Sequence, residues 1–135
     1  MSDTGKIALC REQAQRLQKD LPEVLGWALI TIDGIVTLTD LPEGVAEDFL
    51  GTAGAAIMTI CRRWAESVDG CPAEYALLGN CRSRLLLLPA GEEAILALFL
   101  DAQGDWNVVV GAACGLADGM GRVFADGEAG ECGGA

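Results

Sequence analysis

Val108 to Gly121, VVVGAACGLADGMG, is where this chain looks most ready for chemistry: three valines run into glycines in the manner of a strand feeding a phosphate-binding turn. A dinucleotide turn reads GxGxxG, however, and after Gly111 the second and third glycine positions hold Ala113 and Leu116. The stretch beyond Gly121 is also too short for the helix and returning strand of a βαβ unit. A phosphate loop needs GxxxxGK and then Ser or Thr, but no lysine occurs after Lys19. The chain is therefore not expected to cradle a nucleotide or another cofactor. The spacing that does fit is Gly111, Gly115 and Gly119, stacked on one helix face beside Ala112 and Cys114. Glycine costs about 1 kcal/mol per helical position against alanine, so the pattern predicts a helix over about Trp106 to Arg122 that lies close against its neighbours.

Other reactive residue types offer little. There is no histidine, so the usual general base near neutral pH is missing. Six cysteines, Cys10, Cys61, Cys71, Cys81, Cys114 and Cys132, form no CxxC pair and have no histidine to complete a zinc site. They read as free thiols, mostly buried. Cys132 is fourth from the end, but glycines rather than aliphatics come after it, against prenylation. Glu47-Asp48 and Glu92-Glu93 are adjacent acids at a helix start and in a turn, which suits dipole pairing or solvation better than catalysis. No catalytic group, metal or cofactor is expected. Among the few bases, Arg62 and Arg63 close a long helix and Arg82 and Arg84 flank a turn. They are either solvated charge or a patch for docking an acidic partner surface, Arg62 and Arg63 being the candidates.

Twenty acids against nine bases give a net charge of −11, which opposes binding to nucleic acid or to an anionic membrane. MSDTGKIALCREQAQ lacks the basic start and apolar core of a signal peptide, so a cytoplasmic location is expected.

The elements that position these residues emerge from periodicity. Ile7 to about Leu21 reads as a helix closed by Pro22. Trp27 to Ile32 and Ile35 to Thr39 read as strands joined at Asp33-Gly34, a dipeptide suited to a two-residue hairpin turn. Glu43 to Val68 is the longest helix, with Val45, Phe49, Ala53, Ala56, Ile57, Ile60 and Trp64 as its buried face. Its back carries Gly51, Gly54, Ala55 and Met58 where Lys and Glu would suit a solvated surface, so the helix is expected to be covered on both sides. Ala73 to Leu78, Arg84 to Leu88 and Ala94 to Leu100 form an antiparallel meander. The last two runs are apolar at consecutive positions, which puts them centrally in a sheet covered on both faces. Residues 1–124 are expected to be one domain and 125–135 a flexible acidic, glycine-rich tail.

This order, together with LPEVLGWALITIDGIVTLT and RLLLLPAGEEAILALFLD, resembles the roadblock family of dynein light chains and their bacterial and archaeal relatives, from about Leu9 to Val123. Trp27 stands where the family tends to have a smaller residue, and the glycine-rich last helix is unusual. The resemblance implies an α/β (α+β sandwich) fold in the order α-β-β-α-β-β-β-α, a five-stranded antiparallel sheet with the long helix on one face and the terminal helices on the other. It further implies a non-catalytic homodimeric scaffold that binds a Ras-like small GTPase, joined through the third strand and the long helices. On this chain the dimer residues would be Gly51, Gly54, Ala55, Met58, Tyr75 and Leu77. No arginine finger is implied for Arg62 or Arg63. The alternative is a longin- or profilin-like sensory domain enclosing a small ligand, although LLLL and AILALFL offer a pocket no polar side chain.

Overall fold

The structure, a computed structural model, describes residues 3–68 and 70–133, with side chains described for 4–68 and 70–124. The elements run α1 (Asp3–Asp20), β1 (Val24–Thr31), β2 (Val36–Asp40), α2 (Glu47–Val68), β3 (Ala76–Gly79), β4 (Ser83–Ala90), β5 (Ala94–Asp101) and α3 (Trp106–Gly133). The strands form one antiparallel sheet in the order β2-β1-β5-β4-β3. This is the expected α+β architecture. β5 lies at its centre, which is why AILALFL is apolar without alternation.

Strand alternation divides that apolarity between two cores. Trp27, Leu29, Leu86, Leu88, Leu96 and Leu98 point to the side where α1 and α3 pack, joined by Cys10, Ala14, Val109, Ala113, Ala117 and Met120. Ala28, Ile30, Leu87, Ile95 and Ala97 point to the other side, against Leu50, Ala55 and Met58 of α2.

The β1–β2 connection is longer than a two-residue turn. Gly34 N–H donates to the Thr31 carbonyl at 3.0 Å and Thr31 N–H to the Ile35 carbonyl at 2.8 Å, with Gly34 at φ +92°. That is a type I turn followed by a left-handed residue, the usual three-residue hairpin. Further along the hairpin the register shifts between Leu29 and Ile30, leaving Thr37 as an extra residue in β2. Asp33-Gly34 thus marks the turn, but glycine serves as its exit rather than its second corner.

α3 runs on to Gly133, past the expected end at Arg122. The tail expectation for 125–135 falls on residues outside those whose side chains are described.

Candidate functional site

α2 is the element with a surface to spare, and its two faces are the reverse of the sequence expectation. Gly51, Gly54, Ala55 and Met58, expected to meet another chain, lie on the protein's own sheet. A Cβ on Gly51 would collide with the carbonyl oxygen of Gly34 in the hairpin turn, and one on Gly54 would sit 3.3 Å from Ile30 Cδ1. Met58 is 1% exposed. Small residues here let the helix backbone come down onto the turn, and Met58 fills the space that remains. The expected inner face points outward: Phe49 is 74% exposed, Trp64 63%, and Ile60 and Val68 are also exposed. Ala56 joins them, while Val45, Ala53 and Ile57 are half-buried.

This outward stripe continues to the sheet edge. Trp64 and Val68 line a groove with Cys71, Pro72 and Tyr75, the segment that leads into β3. Cys61 Sγ donates to the Tyr75 carbonyl at 3.7 Å, which ties that segment to α2. β3 pairs with β4 on one side only. Tyr75 and Leu77 are both half-buried and pack toward the α1/α3 core, whereas Leu78 is exposed. The structure therefore brings Tyr75 to the groove beside Trp64 and Val68, whereas Leu77 packs on the opposite face of the sheet from α2.

Arg62 and Arg63 part company. Arg62 Nη2 donates to the Gly91 carbonyl in the β4–β5 turn at 3.3 Å, so this guanidinium braces α2 against the sheet. Arg63 is exposed. Neither lies in the last turn of α2, which holds no base, so a helix-dipole role does not apply to them.

The glycines of α3 overturn a second expectation. A Cβ on Gly111, Gly115 or Gly119 would meet nothing within 4 Å. The buried stripe is Val109, Ala113, Ala117 and Met120, and Gly111 and Gly115 are exposed on the other side. Close approach occurs instead at Gly121, where a Cβ would stand 2.5 Å from Gly91 N. Sequence reasoning missed Gly121 because it falls outside the four-residue spacing. Gly91 has φ +77°, so the β4–β5 turn is pinned by α3 on one side and by Arg62 on the other.

The five described cysteines are unpaired, but only Cys10 is buried. Cys61 and Cys114 are half-buried, and Cys71 and Cys81 are exposed. This corrects the expectation of mostly buried thiols; Cys132 lies outside the described side chains. Burial pushes the Cys10 thiol up, and burial, then Glu74 and Asp118, push Cys114 up. Glu47-Asp48 begin α2 and Glu92-Glu93 are exposed beside the β4–β5 turn. Among the described residues no group of three or more His, Cys, Asp or Glu could hold a metal ion, and no helix is long and apolar enough to cross a membrane.

No protein-family model matches the chain, and no curated protein matches it by sequence. Solved structures do match by shape. A structure of MglB with tetrameric arrangement superposes with TM-score 0.80 at 18% identity, over 90% of this chain and 91% of that one. A Roadblock/LC7 domain from Streptomyces avermitilis gives 0.75 at 16% identity, over 84% of this chain and 96% of that one. Profilin IA from Acanthamoeba castellanii is more distant, at 0.51 and 17% identity, over 80% and 95%. Sheet order, helix placement and these superpositions agree: the chain has the fold of Roadblock/LC7 domains.

Proposed function

We propose that this protein is a non-catalytic homodimeric scaffold that binds and regulates a Ras-like small GTPase. The observation that carries the reading is the outward apolar stripe of α2, Phe49, Ile60, Trp64 and Val68, running toward the unpaired edge of β3. A contiguous apolar helix face and an open strand edge are both costly in water, and one two-fold contact covers both. The dimer surface is thus the large-residue face of α2 with the β3 edge, and the small residues named from the sequence have no part in it. Resemblance in sequence and fold to roadblock proteins supports the GTPase as partner. Arg63, exposed beside that stripe, is the residue for an acidic partner surface.

Sedimentation velocity at micromolar concentration, followed by titration with the purified Ras-like GTPase encoded nearest the gene, tests both halves. The chain should sediment as a dimer and bind one nucleotide state of the GTPase more tightly. Trp64→Lys should yield a folded monomer, and Arg63→Glu should weaken GTPase binding while leaving the dimer intact. A wild-type monomer sinks the dimer; a dimer indifferent to the GTPase sinks the partner.

A further inference from the structure

Lys6 on α1 is the one charged side chain buried among the described residues, at 9% exposure, and nothing in the proposed function uses it. It has no ion pair or hydrogen bond from its side chain there; the salt bridge present joins Arg16 and Glu12. Its Nζ is not among the buried polar atoms that lack a partner, so the aliphatic stem is buried while the ammonium itself is not shut away from water. Lys6 lines a cleft of about 500 Å3, within the roughly 300–1,000 Å3 of small-molecule sites. The cleft lies between the start of α1, the β1–β2 hairpin and α3, with Ile7, Leu29, Leu38 and Phe124 among its apolar walls. Thr31 also faces it. Its Oγ1 accepts the Ile35 N–H at 3.1 Å, which leaves its own proton to donate. The hydroxyl of Thr37, by contrast, is spent on the Leu29 carbonyl at 3.0 Å. Among the described residues, Glu93, exposed, is the one carboxylate on the lining.

We propose that this cleft binds a small free amphiphile with a single anionic head, of the class of a medium-chain carboxylate. The Lys6 ammonium meets the carboxylate, the Thr31 hydroxyl donates to it, and the apolar walls take the chain. Glu93 nearby disfavours a dianion. The site lies across the sheet from most of α2, so it can be filled in monomer or dimer and its test does not depend on the GTPase reading.

Calorimetric titration of the full chain with decanoate and with 1-decanol decides the matter. Decanoate should bind one per chain, and decanol about ten- to a hundredfold more weakly, the range of a charged hydrogen bond. Lys6→Met should bring decanoate down to the decanol level and leave decanol unchanged, while Lys6→Arg keeps the preference. Lys6→Met keeps an unbranched apolar stem in the buried place of the lysine stem and should fold; if it does not, the two ligands on wild type and Lys6→Arg still decide. Absence of decanoate binding, equal binding of the two ligands, or indifference to Lys6→Met overturns the proposal.

Discussion

α2 and α3 both carry small residues at helical spacing, and they use them in opposite ways. In α2, Gly51 and Gly54 face the sheet, and a side chain at Gly51 would strike the backbone of the β1–β2 turn. In α3, Gly111, Gly115 and Gly119 border open space, while alanines at Ala113 and Ala117 do the packing. Spacing therefore shows that glycines share a face; it does not show what that face touches. The large residues complete the contrast. α3 buries Met120 and Val109, whereas α2 turns Phe49 and Trp64 outward and buries Met58 beneath the small ones.

Substitutions can break this comparison, and the largest effect is expected at Met58. Met58→Ala should cost about 2–5 kcal/mol by leaving a cavity between α2 and the sheet, seen as a lower denaturation midpoint at unchanged m-value. Gly51→Ala should cost about 1–3 kcal/mol, because the atom it meets is backbone and cannot rotate away. The same change on α3, Gly115→Ala, should stabilise by about 0.5–1 kcal/mol, since it relieves the helix of a glycine at no steric expense. A loss of stability there would show that α3 is covered by something. Trp64→Ala should move the stability of an isolated chain by no more than about 0.5 kcal/mol. Its effect should appear in the concentration dependence of the midpoint, which the wild type has if α2 pairs with a second copy and the variant loses.

Much of the fold was legible in the residues. Period-two runs located the strands, Asp33-Gly34 and Gly91 located turns, and the uninterrupted apolarity of Ala94 to Leu100 placed β5 inside a sheet with both faces covered. The candidate site was legible only in outline. The sequence singled out α2 as a helix with too little polarity on either side, and that surplus is real. Phe49, Ile60 and Trp64 were expected inside because they follow the three-and-four spacing of one buried apolar face. What decided otherwise is distance: the helix must approach the Gly34 turn closely, and only the Gly51–Gly54–Ala55 side permits it. Lys6 gave no signal at all, since a lone lysine on a polar helix looks solvated until Phe124 and the hairpin are seen around it.

The sequence by itself determined which segments are helix and strand, in what order, and that the sheet would be apolar on both faces, because periodicity and turn chemistry act over neighbouring residues. The tertiary structure alone decided which side of α2 lies on the sheet, that the α3 glycines stand free while Gly121 meets Gly91, and that Lys6 lines a cleft. Those outcomes depend on contacts between residues far apart in the chain, and a local pattern carries no record of what will stand opposite it.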